Sequence, residues 1–226
     1  MPKFYRILKR EVEPIWEKIH GHPFIVEMSK GQLPTSKFKF YLKQDHMFLR
    51  EFCRFLAMVI VKSRTIEQMK WFSDLLNATL TGEMEMQKKL AKSLGISEQD
   101  LSSSEPAPAM KAYTSYLLKV ASTGSLGEVL AVMSPCPCSY LELAEKLLSR
   151  EGLEKQPAFK EWRNFYASEE SRKIVKHLIN LLDSVAEEAS AKEKELMREH
   201  FLIASRYEYL FWDMAYKMES WPTWGL

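Results

Sequence analysis

Apolar positions recur at three- and four-residue spacing through almost the whole chain, and strict alternation bounded by an Asn-Gly or Asp-Gly turn is absent. The pattern predicts an all-α protein. A first helical stretch runs from about Lys3 to Met28, bent by Pro14 and interrupted at Gly21-His22-Pro23, and Lys30 to Thr35 forms a turn. Thr35 or Ser36 caps a long helix that reaches about Val61. Thr65 to Leu94 reads as one helix closed by Gly95, and Ser97 to Ala109 as a polar, proline-containing loop. Met110 to Ala121 follows, and Thr123-Gly124-Ser125 then caps a helix to Met133 that a Ser-Pro-Cys-Pro motif breaks. Cys138 to Arg150, Ala158 to Ala167, Glu169 to Glu188 and Lys192 to Met218 complete the set. With about eight helices joined by short loops, an antiparallel bundle is the economical packing. The 226 residues are expected to form one domain, 1–226, with enough core to do without disulfides.

Charge narrows the choice of partners. The 32 basic residues are interspersed among 30 acidic ones for a net +2, so no basic stripe marks a nucleic-acid surface. The three cysteines, an odd number, together with the lack of an 18-residue apolar run or a leader pattern, point to the cytoplasm and away from membrane insertion. Neither a Walker A sequence nor a Gly-x-Gly-x-x-Gly follows a strand, so no phosphate-bearing cofactor is implied. Glu17-Lys18-Ile19-His20 is a lone Glu-x-x-His, whereas a di-metal bundle site wants two such motifs with further glutamates. His20, His22, His46, His177 and His200 are scattered, and no metal or other cofactor is expected.

The chemistry concentrates in a few segments. Ser134-Pro135-Cys136-Pro137-Cys138-Ser139-Tyr140 opens a helical run, and a thiol at a helix start feels unpaired backbone N–H groups, which favours the thiolate. Cys136 is the first candidate nucleophile and Cys138 its rival, while Cys53 reads as a small buried hydrophobe. Asp45 shares a helix face with Tyr41 and with Phe48 or Leu49, and Glu208 shares one with Phe211 and Trp212. A carboxyl in such surroundings is desolvated, which raises its pKa toward neutrality and suits proton transfer. On residue type alone, each carboxylate is also compatible with a solvated helix face or an ion pair, and Tyr113, Tyr140 and Tyr166 with core tyrosines.

Taken in order, His22-Pro23-Phe24, Tyr41 through Asp45, Tyr113-Thr114-Ser115-Tyr116, Pro135-Cys136-Pro137 with Tyr140, Tyr166-Ala167-Ser168-Glu169 and Glu208-Tyr209 with Phe211-Trp212-Asp213-Met214 resemble the thiaminase II (TenA) family. The resemblance implies a heme-oxygenase-like helical fold without haem, assembled as a homotetramer and acting in thiamin salvage on a small pyrimidine. The implied reaction hydrolyses 4-amino-5-aminomethyl-2-methylpyrimidine to the 5-hydroxymethyl compound and ammonia, with cleavage of thiamin as a related activity. By the same likeness Cys136 matches the nucleophile, Glu208 the acid/base and Asp45 the carboxylate that binds the pyrimidine amidine. Tyr113, Tyr140 and Tyr166 match pocket tyrosines, and Phe48 and Phe211 aromatic walls. Three positions depart from the family pattern: Phe48 where tyrosine is frequent, Gln87 where histidine is common, and Cys138 where an aromatic commonly follows Cys-Pro. The rival readings are a heme-oxygenase-like oxidoreductase and a non-catalytic protein that binds a pyrimidine as a signal.

Overall fold

A computed structural model describes residues 3–222, so positions 1, 2 and 223–226 of the expected whole-chain domain lie outside the described residues. All regular structure among the described residues is helical. In chain order the helices are α1 (Phe4–His20), α2 (Pro23–Ser29), α3 (Thr35–Lys62), α4 (Ile66–Ala78), α5 (Met84–Ser93), α6 (Glu98–Ser102), α7 (Pro108–Thr123), α8 (Leu126–Met133), α9 (Pro135–Leu147), α10 (Pro157–Tyr166), α11 (Glu169–Glu188) and α12 (Ala191–Lys217). A π-helical turn, Thr79–Glu83, joins α4 to α5, and a 3-10 turn, Glu151–Lys155, precedes α10.

The core follows from where the apolar stripes fall. On α1, Leu8, Val12, Trp16 and Ile19 are buried at three- and four-residue spacing and face α12, where Met197, Phe201, Ala204 and Ser205 are buried. The Trp16 indole N–H donates to the Ser205 hydroxyl at 3.3 Å, so the polar edge of that ring is satisfied inside the packing. Helix α8 is the central rod: every residue from Leu126 to Met133 except Glu128 is buried, and it packs on α7, α11 and α12. Glu128 is the exception because it closes a capping box with Ser125, its carboxylate accepting from the Ser125 N–H while the serine hydroxyl accepts from the Glu128 N–H. Helix α3, 28 residues long, carries a broad buried face from Phe38 to Val59 against α4, α7 and α12.

Helix ends are set by local chemistry. His22 Nδ1 accepts the Phe24 N–H with Pro23 in the first helical position, which separates α2 from α1. The side chains of Ser168 and Ser190 cap α11 and α12. Pro14 lies inside α1, which continues through it.

Three segments differ from the pattern-based reading. The stretch Thr65 to Leu94 is not one regular helix, because the π turn inserts an extra residue per turn between α4 and α5. The polar loop Ser97 to Ala109 contains the one-turn helix α6, capped by Ser97, and α7 starts at Pro108 with its proline in the first turn. The Ser-Pro-Cys-Pro motif does not break the chain direction: Ser134 keeps helical angles between α8 and α9, and α9 begins at Pro135, not Cys138. Prolines 135 and 137 fit there because the first turn needs no intrahelical donor from them.

Gly31 ends the α2 turn with φ +68°, and a Cβ there would lie 2.5 Å from the Gly152 carbonyl oxygen. This close approach pins the turn after α2 to the 3-10 turn that leads into α10. Gly31→Ala is therefore expected to lower unfolding free energy by at least about 2 kcal/mol, from left-handed backbone strain plus the clash. Urea denaturation of the variant and its parent measures this, and equal midpoints would contradict it.

Candidate active site

A cavity of about 220 Å³ opens among α3, the π turn, α7, α9, α10, α11 and α12. All eight residues singled out from the sequence line it: Asp45, Phe48, Tyr113, Cys136, Tyr140, Tyr166, Glu208 and Phe211. Residues from distant parts of the chain thus meet in one space. The walls are aromatic, with the Phe48 ring 5.3 Å from Tyr113 and 5.7 Å from Phe211 between centroids, and Tyr140 edge-on to Tyr166 at 4.9 Å.

Asp45, on α3, is held by neutral donors. Its Oδ2 accepts from the Tyr41 hydroxyl at 3.0 Å and from Gln87 Nε2 at 2.6 Å. Tyr41 is oriented in turn by the Trp162 indole N–H, which donates to its oxygen at 3.0 Å, and its hydroxyl lies 3.4 Å from that of Tyr140. Gln87 Oε1 faces His46 Nδ1 at 3.3 Å. Oδ1 of Asp45 takes no hydrogen bond from another described residue, leaving one oxygen for a ligand. Burial is the largest influence on this carboxyl and drives its pKa well above the ordinary range, with nearby Glu83 adding to the shift and the Tyr41 and Gln87 bonds opposing it.

Glu208, one helical turn before Trp212 on α12, accepts the Tyr113 hydroxyl at 2.6 Å. The Cys136 thiol is its second partner. Burial raises the Glu208 pKa to about 7, against the lowering effect of both hydrogen bonds. This agrees with the sequence expectation for a carboxyl in an aromatic stripe. Cys136 departs from its expectation. It occupies the first turn of α9, but its thiol pKa is pushed well above the ordinary range, first by burial and then by the charges of Glu208, Glu83 and Asp45. Desolvation and three nearby carboxylates outweigh the helix start, whose effect is about 1 kcal/mol. The resting thiol is protonated, and Glu208 is the base in reach of it.

Cys138 is not among the cavity residues. It is buried against Tyr5, its pKa raised to about 12 chiefly by burial, and it forms no disulfide. Cys53 is half-buried on α3. Glu17 and His20 lie on α1, away from the cavity, and His20 pairs with Glu142 and Lys146. No cluster of three or more His, Cys, Asp or Glu side chains among the described residues could hold a metal ion.

The sequence reading missed Glu83. It closes the π turn, lines the cavity, and accepts the Tyr166 hydroxyl at 2.6 Å. Burial raises its pKa while the tyrosine bond lowers it. A strict 3.6-residue reading of Thr65 to Leu94 cannot place this residue, because the wide turn rotates it relative to α4. Tyr41, Trp162 and Gln87 also act here as supports that carry no chemistry of their own. The lining contains the acids Asp45, Glu83, Glu208 and Glu170 and, among the described residues, no lysine, arginine or histidine.

A helical cavity that pairs a thiol with a neutral-range carboxyl and faces both with a second carboxylate belongs to a defined class of helical pocket protein. The chain is a member of the TENA/THI-4/PQQC family, whose pattern matches residues 9–218. It is 41% identical over 218 residues to the aminopyrimidine aminohydrolase of Halalkalibacterium halodurans, covering 96% of this chain and 97% of that one. Among solved structures, a TenA homologue from P. horikoshii superposes with TM-score 0.87 at 32% identity, over 95% of this chain and 99% of that one. A Shewanella denitrificans domain described as having a heme oxygenase-like fold superposes with TM-score 0.78 at 16% identity, over 95% of this chain and 92% of that one, a likeness of fold alone. The all-α, heme-oxygenase-like fold expected from the sequence is thus the one found.

The raised Glu208 pKa has a consequence for stability. Between about pH 4.5 and 7 the folded chain holds a proton on Glu208 that the unfolded chain has released, so stability falls as pH rises through that window. Relative to Glu208→Gln, which cannot titrate there, the wild type is expected to lose about 3 kcal/mol on going from pH 4.5 to pH 8. Urea unfolding of both proteins at the two pH values tests this; parallel shifts would refute the assignment.

Proposed function

We propose that this chain is an aminopyrimidine aminohydrolase of thiamin salvage, converting 4-amino-5-aminomethyl-2-methylpyrimidine to its 5-hydroxymethyl counterpart and ammonia. The observation that carries the reading is the Cys136 thiol bonded to Glu208 in an aromatic-walled cavity that also holds Asp45. The curated name of the H. halodurans relative supports it.

In this mechanism Asp45 holds the pyrimidine amidine through its free oxygen while Phe48 and Phe211 flank the ring. Glu208 takes the thiol proton as Cys136 sulfur bonds to a ring carbon, which breaks aromaticity and sends electrons toward the 5-methylene. The C–N bond breaks, with Glu208 keeping the departing nitrogen protonated so that it leaves as ammonia. Water then adds to the exposed methylene and gives its proton to Glu208. The ring regains aromaticity as the C–S bond breaks, and sulfur recovers its proton. Tyr113 keeps the Glu208 carboxyl oriented through its 2.6 Å bond. Tyr140 and Tyr166 complete the ring's surroundings, and the same cavity accepts the pyrimidine end of thiamin as a related substrate. We further propose that residues 1–226 work as one domain, that the chain assembles as a homotetramer, and that it acts in the cytoplasm. No described helix is long and apolar enough to cross a membrane.

Purified protein incubated with the aminomethylpyrimidine, and separately with thiamin, is expected to yield the hydroxymethyl product, followed by chromatography. Cys136→Ser should abolish it, Glu208→Gln should slow it roughly 10²–10⁴-fold, and Cys138→Ser should leave it unchanged. Absence of product with wild type on both substrates would overturn the reading, and full activity of Cys136→Ser would overturn its nucleophile. Sedimentation equilibrium reports the assembly directly.

A further inference from the structure

The reaction above uses two of the cavity's carboxylates, Asp45 and Glu208, and leaves the third without a task. Glu83 sits in the same space, and its charge raises the pKa of both Asp45 and Cys136, so it lies within electrostatic reach of the ring site and of the nucleophile. Its Oε1 is tethered by the Tyr166 hydroxyl at 2.6 Å. Oε2 accepts no hydrogen bond from another described residue. Burying a carboxylate without a cation is costly, and the cavity lining offers none. The backbone supports the same reading: Glu83 reaches the cavity through a π turn, a local geometry poorer in hydrogen bonding than the α-helix it interrupts.

We propose that Glu83 is a substrate-binding carboxylate whose counter-cation is the ligand itself, so that the cavity prefers a positively charged pyrimidine over a neutral one. This rests on the aminopyrimidine reading and extends it to the whole reaction cycle. The aminomethyl arm of the substrate is a primary amine, cationic in neutral water as lysine is. Thiamin is cationic through its thiazolium ring. The hydroxymethyl product carries no charge on that arm. A carboxylate that favours the cation therefore holds substrate and releases product, without any movement of the helices. Tyr166 positions Glu83 by fixing one oxygen and leaving the other to accept a charge-assisted bond.

The test is calorimetric, in the Cys136→Ser background so that nothing turns over. Dissociation constants are measured for the aminomethyl- and the hydroxymethylpyrimidine, with and without Glu83→Gln. The glutamine keeps the shape of the side chain and can still accept from Tyr166. Loss of the charge is expected to weaken the aminomethyl compound roughly tenfold or more, as for a charge-assisted hydrogen bond, and to leave the hydroxymethyl compound nearly unchanged. Equal weakening of both ligands, or no change in either, overturns the proposal. Should Glu83→Gln lack a cooperative thermal transition, Tyr166→Phe decides: freeing the carboxylate should shrink the ratio of the two constants several-fold, and an unchanged ratio overturns the proposal. If wild type turns over neither substrate while the Glu83-dependent preference persists, the hydrolase reading fails and the cation site stands. If turnover is observed and the preference does not depend on Glu83, the reverse holds.

Discussion

Everything in the cavity answers to the desolvation of Asp45, Glu83 and Glu208, enclosed by aromatic walls with no cationic side chain among them. The fold meets the demand with neutral donors: Tyr41 and Gln87 on Asp45, Tyr166 on Glu83, Tyr113 on Glu208. A tyrosine or amide donor satisfies a lone pair without cancelling the charge. An arginine in any of these places would have secured the carboxylate more firmly and removed the negative field from the space where a ligand sits. The donors come from α3, α5, α7 and α10, so the field is built only when several helices pack together.

The same field governs the thiol. A cysteine opening a helix suggests a resident thiolate, yet the surroundings of Cys136 hold its proton in place. The resulting division of labour is economical: Glu208, near pKa 7, holds or releases a proton with little energy either way, and the sulfur becomes nucleophilic when that proton moves. Such a resting thiol is also a poor target for adventitious oxidation, which follows thiolate character and exposure.

Much of this was legible in the chain because helical periodicity is a strong signal and because the reactive segments combine residue types that packing alone does not require. Asp45 and Glu208 stood out as acids in aromatic stripes, and burial acts on them as that position implies. The boundaries of α11 and α12 followed from serine caps before long periodic runs. Two things were hidden. The protonation of Cys136 depends on carboxylates that arrive from α3, the π turn and α12, which no local motif encodes. Glu83 was hidden by the rule that revealed the rest: with one phase assumed from Thr65 to Leu94, it falls on an unremarkable polar face. The short α6 was lost because a single turn carries no period to detect.

The π turn also makes α4 and α5 two segments with separate angular origins. One surplus residue rotates everything after Ala78 by about 100° relative to an uninterrupted helix. Glu83 and Gln87, four positions apart, share the rotated frame, and each ends on a different carboxylate-tyrosine pair: one accepts from Tyr166, the other donates to Asp45 beside Tyr41. The insertion thus behaves as a phase shifter. Family members that differ in composition at these two places can retune the charge and hydrogen-bonding character of the cavity without repacking α4, whose contacts lie on the far side of the shift.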